Sequence, residues 1–161
     1  MMVLYHGTDM TSALSIIYDG IDLTKSKPRL DFGNGFYLGD DYAAAKKWAT
    51  RFPNIVGVVL AYSMSFEGLK IKIFDSASKE WGEEVFANRF NHKTKSSDID
   101  CIIGPIADGR MQFLLQKVDD KRMSKQQFIE AITPMIPSVQ YVMKTTKAVQ
   151  NLKLLRKDVL A

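Results

Sequence analysis

The chain has 161 residues, 46% of them apolar, and its 22 basic and 18 acidic side chains leave a net charge of +4. That size fits a single domain, residues 1–161, with a buried core, and the apolar share is ordinary for a folded chain, so disorder is not the default. The charge admits an anionic ligand but is too small to argue for nucleic acid alone; the lone Cys101 excludes an internal disulfide, and no run approaches the ~20 apolar residues of a membrane span. The opening MMVLYHGTD lacks the basic and apolar regions of a signal peptide. A soluble, cytoplasmic protein with no membrane partner is expected.

MVLYH reads as a short strand. Thr11 or Ser12 can cap a helix through Ala13, Leu14, Ile16, Ile17 and Tyr18, stopped by Gly20. IDLTKSKPRLDFGNG is a polar loop carrying Pro28, and FYL is a second short strand. Asp40 and Asp41 offer an N-cap to the helix YAAAKKWATRF, which Pro53 closes. IVGVVLAYSM reads as a buried strand, and LKIKIF alternates as a strand with one wet face.

EWGEEVFANRFN is helical, with Trp81, Val85, Phe86 and Phe90 on one side. KTKSSD is a loop, and IDCIIGPIAD is an apolar strand ended by Gly104 and Pro105. Ser124 and Gln127 form a capping box before the helix QQFIEAI, which Pro134 and Pro137 break. VQYVMKT is expected as the last strand, and KAVQNLKLLRKDVL as a terminal amphipathic helix. Short strands interleaved with helices, without a GxGxxG turn, argue for an α+β fold with a mixed or antiparallel sheet. Lys93, Lys95, Lys117, Lys121, Arg122 and Lys125 can form a basic face, although scattered helix lysines are ordinarily just solvated. There is no Cys/His cluster for zinc and no GxxxxGK[ST] phosphate loop.

Three separated pieces then stand out: LYHGTD, FGNGFYLGDDYAAAKKWA and VQYVMKT. In that order they resemble the signature strands of the diphtheria-toxin-like and poly(ADP-ribose)-polymerase-like ADP-ribosyltransferases. Tyr5-His6-Gly7 matches an aromatic-His-Gly step, Phe32 to Tyr37 matches FGxGxY, and Trp48 stands eleven residues after Tyr37. Gln140-Tyr141 occupies the step that the clade usually fills with Glu and an aromatic, so the triad here would be His6, Tyr37 and Gln140. Ala45 departs from the hydroxyl that the polymerases carry at that place. The intervening spans resemble an uncharacterised bacterial family of the same superfamily, through DFGxGFYL, a helix ending in Asn88-Arg89, an IxGPxAD stretch from Ile102 to Asp108, and Thr145 to Ala148.

The resemblance implies an ADP-ribosyltransferase-like fold of split mixed or antiparallel sheets with flanking helices. It implies NAD as co-substrate, no metal, and mono-ADP-ribosyl transfer to a macromolecular acceptor, protein or RNA. A compact chain of this kind suggests a toxin-like effector neutralised by an antitoxin protein. His6 would bond the adenosine ribose and Gly7 the nicotinamide carboxamide through its backbone, within a clamp that extends to Thr8 and Gly35. Tyr37 and Trp48 would stack on the nicotinamide, and Gln140 would bond its ribose hydroxyl. Arg29 meets the pyrophosphate or is a solvated loop charge. Asp31 reads as a loop cap, Asp98 and Asp100 as surface or turn residues, and Asp108 as structural or acceptor-orienting. The same clamp also fits a module that binds NAD or ADP-ribose without turnover, or an RNA-directed ADP-ribosyltransferase.

Overall fold

The computed structural model describes residues 1–27, 29–92, 94 and 98–160. Among them seven strands and six helices form an α+β fold around one mixed sheet. The strands are β1 Met2–Asp9, β2 Phe36–Gly39, β3 Gly57–Met64, β4 Ile71–Ile73, β5 Cys101–Pro105, β6 Val139–Met143 and β7 Leu152–Leu160. The helices are α1 Met10–Asp19, α2 Tyr42–Ala49, α3 Lys79–Arg89, α4 Met111–Asp119, α5 Lys125–Ile132 and α6 Thr146–Gln150. The order across the sheet is β4-β5-β6-β2-β1-β3-β7, and every neighbouring pair is antiparallel except β4 and β5.

One junction differs from the rest. β1 meets β3 along its whole length, from Met2↔Met64 to Asp9↔Gly57, but meets β2 at one position, Tyr5↔Gly39. The sheet therefore consists of a four-strand part and a three-strand part, joined at one residue pair.

Pleat alternation sorts the side chains into two cores. Leu4, Phe36, Leu38, Leu60, Tyr62, Cys101, Tyr141 and Met143 lie in one, with Ala13 of α1 and Ala148 of α6 packed against them. Phe32, Ile102 and Val142 belong to the other, under Trp81 and Val85 of α3, Leu114 and Leu115 of α4, and Phe128 and Ile132 of α5. α2 lies on β1 and β3: Tyr42 meets Tyr5 edge-on at 5.3 Å, and a Cβ on Gly7 would come within 2.3 Å of the Ala45 carbonyl oxygen.

The local rules account for most helix starts. Asp41 caps α2 by accepting from the Ala43 and Ala44 amides, and Ser124 with Gln127 forms the capping box of α5. α1 is capped one turn earlier than expected: Asp9 accepts from the Ser12 amide and hydroxyl, which makes Ser12 a partner of the cap. The LKIKIF strand contracts to Ile71–Ile73, and α4 has no counterpart in the sequence reading.

The expected terminal helix is largely a strand. Only Thr146–Gln150 is helical; Leu152–Leu160 pairs with β3, and VQYVMKT is the penultimate strand. The reason is a register shift opposite Ala61 and Tyr62, which pair with Arg156 and Leu154 and leave Leu155 over. That extra residue breaks the two-residue alternation, so Leu152, Leu155 and Val159 fall at spacings of three and four and imitate a helix face. Of the basic face, Lys93 and Lys95 lie outside the described residues. Arg122 pairs with Asp120, Lys125 with Glu83, and Lys117 lies over the Phe113 ring.

Candidate functional site

The loop from Asp31 to Gly35 and the strand after it are where the three motifs meet. Phe32 is fully buried against Phe74 and leads the loop across the sheet face. Gly35 sits so close to β6 that a Cβ would meet Val142 at 2.5 Å. The Tyr37 hydroxyl donates to the Gly33 carbonyl at 2.7 Å and accepts from the Phe32 amide at 2.9 Å, closing the loop on itself. Burial raises the Tyr37 phenol far above its ordinary pKa, so it stays protonated.

His6 holds the same strand from the other motif. Its Nδ1 lies 2.7 Å from the Tyr37 carbonyl oxygen, and its ring stacks on Phe36 at 4.2 Å. A carbonyl only accepts, so Nδ1 carries the proton and Nε2 is left as an acceptor. Burial lowers the imidazole pKa, against the raising effect of the Tyr37 bond, so the neutral form prevails at neutral pH.

Gln140 completes the bracket. Its Nε2 donates to Asp31 Oδ2 at 3.0 Å and to the Pro105 carbonyl at 3.2 Å; both neighbours are acceptors, which fixes the amide orientation. Asp31 is 5% exposed and is the hub of a buried polar group. Its other oxygen takes the Arg89 guanidinium at 2.5 and 3.0 Å, while Oδ2 also accepts from the Ala107 amide. Asn88 donates to the Asp31 carbonyl and to Glu84, and Lys144 donates to the Phe32 carbonyl. Burial lowers the Lys144 pKa, offset by the Glu84 charge.

Among the described residues no buried side-chain nitrogen or oxygen lacks a partner. Neither His6 Nε2 nor Gln140 Oε1 has a hydrogen-bond partner among the described residues, so both are unused acceptors. They do so from different faces. Tyr5 pairs with Gly39, which pairs with Gln140, so Tyr5, Tyr37 and Gln140 share one face and His6 lies on the opposite one. The three side chains thus converge on one loop and strand rather than on one hollow, and neither described hollow is lined by them.

The remaining expected residues divide. Gly7 is glycine because α2 leaves no room for a Cβ, and Thr8 continues the β1 ladder opposite Val58. Trp48 is 56% exposed and pairs with Arg51, whose guanidinium lies 3.8 Å from its ring centre, rather than with Tyr37. Arg29 is turned toward Arg89 and Asp119. Asp98 is an exposed partner of Lys70, but Asp100 is a correction: it is buried and accepts from the Lys70 amide and the Thr145 hydroxyl. Asp108 accepts from the adjacent Gly109 amide in an exposed turn. Asp31 is more than a loop cap.

The sequence-wide match decides the grouping. Residues 2–154 match the model of the family described as "Protein of unknown function (DUF3990)". The chain belongs to the DUF3990 family. A comparison with curated proteins finds no match. The DUF3990 match spans every residue of the loop bracket, from His6 to Lys144, and ends inside β7. No helix among the described residues is long and apolar enough to cross a membrane.

Proposed function

We propose that the chain is an NAD-dependent mono-ADP-ribosyltransferase, in keeping with its resemblance to that superfamily. In the reaction the bond between nicotinamide and ribose C1 breaks, nicotinamide leaves with the bonding electron pair, and an acceptor nucleophile attacks C1 and gives up its proton. The observation that carries the reading is the bracket: residues from three distant motifs hold one loop and strand, and two of them keep an open acceptor. Neutral His6 Nε2 and Gln140 Oε1 can each accept from a ribose hydroxyl. The place where the β1–β2 ladder stops gives a seam for a flat ring beside Tyr37. Under this reading the acceptor is a protein or RNA, and a neutralising protein partner belongs to the same proposal.

The test is incubation with NAD labelled separately in its nicotinamide and adenylate halves, with and without cell extract. Free nicotinamide and transfer of adenylate label to macromolecules are expected. His6→Ala and Trp48→Ala lower both roughly tenfold or more, about 1.4 kcal/mol of transition-state stabilisation. Trp48 is largely exposed, so its variant keeps the wild-type melting temperature. Failure to bind NAD at all would sink the reading.

A second reading has its own observation. Both N–H groups of the Gln140 amide are spent on the chain itself, and the nearby Asp31 carboxylate is neutralised by Arg89. Gln140 and Asp31 then supply no free negative charge to a developing oxocarbenium, which favours a module that binds NAD or ADP-ribose without turnover. Saturable NAD binding without nicotinamide release selects that reading.

A further inference from the structure

A hollow of about 280 Å³ lies between the loop that precedes Asp31 and α4, lined by Lys27, Arg29, Arg89, Gln112, Gln116 and Asp119 among others. Arg89 is neutralised on its inner side by Asp31. Lys27 and Arg29 remain, opposed by Asp119 alone, so the lining is net positive. Gln112 and Gln116 stand one turn apart on α4 and add amide donors, although Gln116 Nε2 also donates to Asp120.

Arg29 is placed there at a cost. Its φ is +57°, the left-handed region that a branched or long side chain seldom adopts. Reciprocal bonds hold it: Nε donates to the Arg89 carbonyl at 2.7 Å, and Arg89 donates back to the Arg29 carbonyl. The Phe90 ring lies 5.0 Å beneath the guanidinium. The outer edge of that guanidinium meets Asp119 at 3.4 Å, with the side chains 34% and 46% exposed. Such a long, wet ion pair is weak and screened by salt, whereas a phosphate can take the planar fork through two bonds.

The geometry points to this hollow as a binding site for the phosphate or diphosphate group of a small molecule, with Arg29 as the fork, Lys27 as the second cation and Asp119 as the internal anion it displaces. The volume falls just below the ~300 Å³ at which pockets for drug-sized ligands begin, which suits a small anion. The site does not rest on the nicotinamide-nucleotide reading: of the residues expected in that clamp Arg29 alone lines the hollow, and His6, Tyr37, Trp48 and Gln140 do not.

The test is calorimetric titration of the whole chain, in chloride buffer, with inorganic phosphate, pyrophosphate and ADP. Saturable one-site binding is expected for at least one of them. Lys27→Ala weakens it roughly tenfold. Asp119→Asn tightens it severalfold, whereas Asp98→Asn, the same charge change beside Lys70, leaves it unaltered. Arg29→Gln weakens binding as well, and if that variant fails to fold the exposed Lys27 carries the test. NAD does not displace bound pyrophosphate. No saturable binding, an unaffected Lys27→Ala, or equal tightening by Asp98→Asn would overturn the site, and displacement by NAD would overturn its separateness.

Discussion

The ring of His6 makes its hydrogen bond to the backbone of Tyr37, 2.7 Å from Nδ1 to the carbonyl oxygen, just beyond the single residue pair that joins β1 to β2. A side chain thus spans the gap where the ladder stops. This contact requires a proton on Nδ1; burial, and not the contact, keeps the ring neutral.

The first prediction follows from the pKa of that ring. Burial lowers it relative to the unfolded chain, so the unfolded state binds the extra proton first. The stability contributed by neutral His6 is present above the ordinary imidazole value and is lost as pH falls toward the folded value. Between pH ~7 and ~5 the wild type should lose more stability than His6→Asn, because the other histidine, His92, is common to both. Urea melts across that range measure the difference, and parallel curves would refute it.

Gln140 is an amide because Asp31 faces it. Gln140→Glu sets a carboxylate 3.0 Å from Asp31 Oδ2 and should cost about 1–3 kcal/mol at neutral pH. One of the two carboxyls then has a raised folded pKa, so the loss shrinks as pH falls and grows as it rises. Asp31→Asn should offset part of the cost in the double variant, which a double-mutant cycle reads as a positive coupling. A glutamate at this position is therefore expected to destabilise the chain.

Gly7→Ala brings a methyl group to within 2.3 Å of the Ala45 carbonyl, a backbone atom that cannot swing aside. Destabilisation of about 1–3 kcal/mol is expected from this overpacking. Thermal denaturation checks it; a neutral result would mean that α2 rides more loosely on β1 than the packing indicates.

Cys101 is fully buried, and burial pushes its thiol up to about 12. An aromatic disulfide reagent at pH ~8 should leave the folded protein unmodified and titrate one thiol in denaturant. Rapid labelling of the native chain would contradict the placement of β5 in the core.

Much of the fold is legible in the residues themselves. Asp41, Ser124 with Gln127, and the apolar run from Gly57 to Met64 specify their elements by local chemistry, and the structure has them there. β7 is not legible because one bulged residue, Leu155, shifts its alternation, and pairing with β3 outweighs the helical spacing that results. The site was legible as a set of motifs but not as an arrangement. Asp31, Asn88 and Arg89 lie in recognisable stretches, yet their mutual burial depends on residues 57 positions or more apart. The one usable hint is polar: Gln140, standing in an apolar strand, needs a partner, and the structure gives it Asp31.

The lone pairing of Tyr5 with Gly39 has a mechanical meaning. Twisting motion between the two parts of the sheet is expected to concentrate at that seam, because every other strand boundary is pinned at three or more positions. Amide protons along the β1–β2 border should therefore exchange with deuterium ahead of those between β1 and β3, and the imidazole of His6 is the latch that slows them.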